Sequence, residues 1–373
     1  MRHGKISTMA NHPSASTRAL LSRLGVTHPI VQAPMAGGAT TPELIAAVCE
    51  AGALGSLGAA VSAPQKILYT VAAIRQRTGR PFNVNLFVQG EPRADEPETR
   101  ARIQRAAELL APIRRELGLP EINIPTRFAE RFADQLAAVR EAAPAVASFH
   151  FGIPPQGELR ALRARGTLVL GSATTVAEAR AWEEAGADII CAQGAEAGGH
   201  RGTFLGSVEE SLIGTMVLAP MVAAAVAVPV LAAGGIMDGR AIAAALCLGA
   251  AGVQMGTAFL PCPESGIHAE YKRALRDPSA TRTVVTRAFS GRPARGIVNR
   301  YIELMHPHQD EVPAYPIMNA MTTELRAASG KAGRMDFVSL WAGQGAPMSR
   351  ALPAAELVRC LVAEAEGDPI AAA

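Results

Sequence analysis

From residue 29 onward, short apolar runs recur along the chain. Each is followed by a turn bearing Gly or Pro and then by an alanine-rich amphipathic stretch. Apolar runs of four to eight residues bounded by turn signals read as buried strands, and apolar positions spaced by three and four read as helices. Strands are expected at 29–35, 54–59, 82–87, 146–151, 167–172, 188–193, 229–233 and 252–255. Helices are expected between them, among others at 41–51, 63–78, 175–185 and 239–248, each opening near a cap or turn residue and closing in glycine. Such alternation implies βαβ crossovers and parallel strands. Eight strands in roughly 230 residues predict an α/β protein of the (β/α)8 TIM barrel class. A doubly wound open sheet is the competitor, but no GxGxxG follows the first strand. Polar and glycine residues gather instead at the C-terminal ends of the strands, where a barrel carries its site.

Two regions break the rhythm. Residues 90–142 hold a charged loop and two helix-like stretches, an unusually long segment expected to cover the barrel mouth. Residues 260–335 stop alternating and predict a second, smaller, mostly helical domain on the barrel top, with a β-like run at 282–288. The expected organisation is a mobile tail at 1–16, the barrel at 17–259, the small domain at 260–335 and a C-terminal segment at 336–373. In that last segment, an amphipathic stretch at 353–366 packs back on the barrel.

Composition narrows the class. Of 373 residues, 49% are hydrophobic and 18% charged, which predicts a well-cored globular protein. A net charge of +3 without a basic stripe excludes nucleic acid as the expected partner. Five scattered cysteines without a CxxC pair point to reduced thiols in the cytoplasm and away from a zinc site. No apolar run reaches the roughly 18 residues of a membrane span, and the first residues lack the apolar core of a signal peptide.

The strand ends carry the candidate chemistry. The strand near 188–193 runs into Gln193-Gly-Ala-Glu-Ala-Gly-Gly-His-Arg-Gly202. Glycines there bring main chain close to a ligand, and His200 is the side chain that most readily exchanges protons near neutral pH. Gln32-Ala-Pro-Met35 reads either as a surface for a flat ligand or as a plain turn. Asn83 and Asn85 share a strand face and either bond a ligand or knit the core, Asn85 being the better ligand candidate. His150, between Phe149 and Phe151, reads equally as a core residue or a functional one. Gly234-Gly-Ile236 and Gln254-Met-Gly-Thr257 follow the last two strands, where barrels commonly hold a phosphate on backbone N–H groups. Arg292, Arg295 and Arg300 read as solvated surface, and His306-Pro-His308 lacks the carboxylates of a metal site. The residues alone therefore predict a phosphate-ligand barrel enzyme with His200 facing its ligand.

These strings, with Asn83-Val-Asn-Leu-Phe87, Ser148-Phe-His-Phe-Gly152 and Leu340-Trp-Ala-Gly-Gln-Gly345, resemble in order the motifs of the nitronate monooxygenases, class I branch, over about residues 27–345. The resemblance implies FMN on a TIM barrel and oxidation of an alkyl nitronate, such as propionate 3-nitronate, by O2 to a carbonyl compound and nitrite. It implies that Ala33, Pro34, Met35 and Asn85 line the flavin, with Gln193, Gly198 and Gly199 beside it. Gly234, Gly235, Gln254, Met255, Gly256 and Thr257 would hold its phosphate. His200 falls on the catalytic histidine and His150 on a substrate-side histidine. The implied partners are a small-molecule nitronate and O2, with no membrane, no metal and no nucleic acid, in a monomer or homodimer. An FMN-dependent NAD(P)H:quinone or enoyl-thioester reductase of the same superfamily is the nearest alternative.

Overall fold

The computed structural model describes residues 13–367. Its main sheet is built from eight parallel strands: β1 (Ile30–Gln32), β2 (Gly55–Gly58), β3 (Phe82–Phe87), β4 (Val146–His150), β5 (Leu168–Ala173), β6 (Ile189–Gln193), β8 (Val230–Ala233) and β9 (Gly252–Met255). The two-residue strand β7 (Gly199–His200) lies outside that sheet. The strand order is β1-β9-β8-β6-β5-β4-β3-β2, and a parallel bridge from Val31 to Leu54 joins the two ends. Hydrogen bonds from Gln32 N to Leu54 O (2.9 Å) and from Leu54 N to Ile30 O (3.0 Å) complete that seam. The protein is thus a (β/α)8 barrel, and every expected strand is present.

Local chemistry explains the helices between the strands. Thr41, Thr175 and Asp238 accept from the backbone N–H three residues on, at 3.0, 3.2 and 2.9 Å. These side-chain caps satisfy otherwise orphaned donors. Pro42 and Pro64 sit in the first turns of their helices, where no donor is lost. The barrel interior is filled from below by Leu20 and Leu24 of the helix Ala15–Leu24, packed on Val31, Leu54, Val146, Ile189 and Leu231. Of the tail expected at 1–16, residues up to 12 lie outside the described residues, and Ser14 already caps this first helix. At the other end of the chain, the helix Ala354–Ala365 buries Leu357, Val358 and Leu361 against the barrel helices Pro42–Glu50 and Gly239–Cys247.

A second hydrophobic core lies beyond the C-terminal strand ends. It joins Ile103, Ala106, Leu110 and Ile113 of the helix Pro97–Glu116 to Tyr301, Ile302, Met318, Met321 and Leu325 from the segment after β9. The cap over the barrel is therefore made from two separate stretches of chain, the insertion after β3 and the region after β9. Beside its helices it holds an antiparallel sheet of β10 (Thr283–Thr286), β11 (Ala294–Ile297) and β7, in that order. In this sheet Ala294 pairs with His200, so the barrel loop carrying the histidine is stitched into the cap.

Candidate active site

A cavity of about 910 Å³ opens between the strand ends and the cap. On the barrel side it is lined by Ala33, Pro34 and Met35 after β1, Asn85 and Phe87 of β3, and His150 of β4. Gln193, Gly198, Gly199 and His200 follow from β6, Gly234 and Gly235 from β8, and Gln254, Met255, Gly256 and Thr257 from β9. Every residue to which the family resemblance assigns a place at the flavin or the substrate thus reaches this one space. Asn83 does not: it is fully buried below, donating to Ser148 Oγ at 2.9 Å, and it knits the barrel core.

The loop from Gln193 to Gly202 is held rigidly by its own polar groups. The Gln193 amide donates to His200 O (3.0 Å) and accepts from Gly202 N (2.8 Å), so both of its ends are used to shape the loop. Arg201 is 1% exposed and donates to the carbonyls of Gly194 (2.6 Å), Gln193 (3.1 Å) and Ser211 (3.0 Å). Gly198 passes so close to the segment Ala342-Gly343 that a Cβ on it would lie 2.5 Å from the Ala342 carbonyl carbon. Only glycine permits that approach.

The His200 ring is surrounded by Phe87, Phe151, Tyr315 and Trp341, with centroids 5.6–5.7 Å away. Its Nε2 lies 2.9 Å from Ser290 Oγ. The Ser290 hydroxyl also lies 3.0 Å from Arg292 O, and when it donates there its oxygen accepts from the imidazole. In that arrangement the proton of neutral His200 is on Nε2, and Nδ1 keeps the free lone pair. Burial among the aromatic rings, followed by repulsion from His150, Arg292 and Arg326, pushes the His200 pKa down to about 3. His150 donates from Nε2 to His200 O at 3.1 Å, and burial is again the main cause that pushes it down to about 4. Both imidazoles are neutral at physiological pH. Phe151 adopts φ 75°, unusual for a non-glycine residue, and is clamped between Phe87 (4.2 Å) and the Arg292 guanidinium (3.8 Å).

Opposite the histidines, the main chain after β8 and β9 is bare. Gly235 has φ 70°, a conformation that favours glycine. Among the described residues, the N–H groups of Gly235 and Gly256 donate to no protein acceptor. The buried Gln254 Oε1 also lacks a partner. Unused donors on close-approaching main chain suit an anion such as a phosphate.

From the segments after residue 260, Tyr315, Asn319, Arg326 and Trp341 also line the cavity and Ser290 bonds His200. Ser290 and Arg326 escaped the sequence pattern, because no strand-helix alternation there points to the site. Arg292 and Arg295 are not solvated: Arg292 covers Phe151, and Arg295, 8% exposed, donates to Ala195 O at 2.9 Å. Arg300 is at the surface, paired with Glu116. His308 meets Glu311, and the described residues contain no cluster of three metal-ligating side chains.

A barrel whose strand ends offer bare main chain on one side and an unprotonated histidine on the other defines an enzyme of small molecules. The family model described as nitronate monooxygenase matches residues 18–364, and the chain belongs to that family. It is 46% identical over 348 residues to a nitronate monooxygenase of Pseudomonas aeruginosa, covering 92% of this chain and 98% of that one. A probable nitronate monooxygenase of Staphylococcus saprophyticus is 41% identical over 92% of this chain and 96% of its own length. Among solved structures, the nitroalkane oxidase from Streptomyces ansochromogenes superposes with a TM-score of 0.86 at 44% identity, covering 95% of this chain and all of that one. FabK from Thermotoga maritima superposes at 0.72 with 30% identity, over 93% and 95% of the two chains.

Proposed function

We propose that this protein is an FMN-dependent nitronate monooxygenase that oxidises alkyl nitronates with O2 to a carbonyl compound and nitrite. The observation that carries the reading is a neutral, cavity-lining His200 whose Nδ1 lone pair is left free by the bond to Ser290. A neutral nitroalkane binding there loses its α-proton to Nδ1, which leaves a nitronate beside an imidazolium. A preformed nitronate needs no such transfer, and His150 lies on the same wall to orient it.

The strand ends fit FMN. Gly234, Gly235 and Gln254 to Thr257 would hold its phosphate on the unused N–H groups, and Ala33, Pro34, Met35, Asn85 and Gly198 would line the ring. Bound there, the flavin supplies electron transfer from substrate to O2, while the protein supplies orientation and electrostatics. All these residues come from one chain, in keeping with a monomer or homodimer. No helix among the described residues is long and apolar enough to cross a membrane. The cysteines are free, in keeping with a reducing cytoplasm.

The test is direct. The purified protein should be yellow with flavin absorbance, and a nitronate should drive oxygen uptake with formation of nitrite. Anaerobic mixing with NADH discriminates the reductase reading: rapid bleaching of the flavin by NADH, with none by nitronate, would overturn the proposal.

A further inference from the structure

Arg326, on the helix Ile317–Lys331 of the cap, lines the cavity. Its guanidinium donates only to neutral acceptors: Asn319 O (2.9 Å), Asn319 Oδ1 (3.0 Å), Thr323 Oγ1 (3.2 Å), Thr322 O (3.4 Å) and Ser339 Oγ (3.4 Å). Among the described residues no carboxylate lies within ion-pairing distance of it. The contrast with its neighbours is informative. Arg127, also in the lining, is paired with Glu130 at 2.5 Å. Glu324, two residues from Arg326, is taken by Arg114 of the helix Pro97–Glu116 at 2.7 Å.

Of the two arginines that line the cavity, Arg326 is thus the one without a counter-ion, and the neutral His150 and His200 add no charge. Holding a desolvated cation without a counter-ion is costly, and the cost is offset when the counter-ion arrives with the ligand. The charge is felt at the reacting end of the cavity, since repulsion by Arg326 is among the causes that keep His200 unprotonated. A cofactor phosphate does not account for it, because the bare main chain suited to a phosphate belongs to the barrel wall and Arg326 to the cap.

We propose that Arg326 is a specificity-determining residue, supplying the counter-charge to an anionic substrate so that the site selects a nitronate over its neutral parent nitroalkane. The identity of the anion rests on the function proposed above; the charge selection does not. Arginine suits the task because its planar fork can donate two parallel hydrogen bonds to a pair of oxygens on one atom.

Nitrate, a planar oxyanion resembling the substrate's nitronate group, is the probe. Calorimetric titration of the flavin-loaded protein with sodium nitrate measures binding without turnover. Arg326→Gln should weaken nitrate binding and raise the nitronate KM by about 10- to 100-fold, as expected when one partner of a desolvated charge contact is removed. The kcat should change far less, and Arg326→Lys should recover much of the loss. The ratio of kcat/KM for nitronate to that for neutral nitroalkane should fall by at least about tenfold. Nitrate affinity within about twofold of the parent protein in Arg326→Gln, or equal loss on anionic and neutral ligands, would overturn the assignment. Circular dichroism of both variants verifies the fold. A parent protein that fails to oxidise any nitronate defeats the functional reading, while calorimetry still decides the role of Arg326.

Discussion

The two walls of the cavity are made in different ways. The barrel wall is largely main chain: Gly198, Gly199, Gly234, Gly235 and Gly256 present backbone at the strand ends. The cap wall is side chain: Tyr315, Asn319, Arg326 and Trp341. Backbone donors are positioned by the strand ladder and vary little with sequence, so that wall suits a ligand that never changes. Side chains vary freely, so the cap suits discrimination among substrates. His200 belongs to both, entering from β6 and pairing with β11 of the cap.

The comparison can be broken most severely at His200. Replacing His200 with Asn should leave flavin absorbance intact while lowering kcat/KM on neutral nitroalkanes by about 10²–10⁴-fold in oxygen uptake. Preformed nitronate should suffer much less. Unchanged turnover of the nitroalkane would remove the histidine from the mechanism.

A second break separates the walls themselves. Gly198→Ala forces a Cβ against Ala342 at the seam between barrel loop and cap-side segment. Overpacking of this kind costs about 1–3 kcal/mol, so thermal unfolding should move down and flavin retention should fall with it. An unshifted melting temperature would mean that the seam yields without strain.

Ser290→Ala tests a finer point, the tautomer. Losing one hydrogen bond of about 1 kcal/mol should lower kcat several-fold, with KM nearly unchanged. A change confined to KM would place Ser290 in substrate binding instead.

The smallest effect is expected with pH. His200 and His150 bind protons only near pH 3 and 4 when folded, whereas free imidazole does so near 6.5. The rate on neutral nitroalkane should therefore be flat from about pH 5 to 8. Between the folded and free values the unfolded chain holds more protons, so stability rises with pH across that window and is lost as pH falls. A His150→Gln, His200→Asn double variant should show a shallower fall in melting temperature on acidification from about pH 6.5 to 4.

Much of the barrel was legible because each strand is a local apolar run closed by a turn, as at Phe82–Phe87, where expectation and structure coincide to the residue. The strand ends were legible for the same reason, since Gly234-Gly235 and Gln193 to Gly202 interrupt that pattern with residues that packing alone does not require. The cap was harder to read. Its core pairs Ile103 with residues some two hundred positions later, and no periodicity encodes such a meeting. β7 is two residues long and exists only because β11 is there to receive it. Arg292 and Arg295 looked like surface because burial of a guanidinium depends on which carbonyls and rings the fold brings to it.

The place of β7 has a mechanical consequence. The His200 main chain is stitched to Ala294, its ring to Ser290 and its carbonyl to the barrel's own Gln193 and His150. Lifting the cap to let product out thus pulls on the same few atoms that aim the imidazole. Aperture and aim form a single mechanical coordinate, and widening the mouth of this enzyme turns the imidazole that faces its cavity.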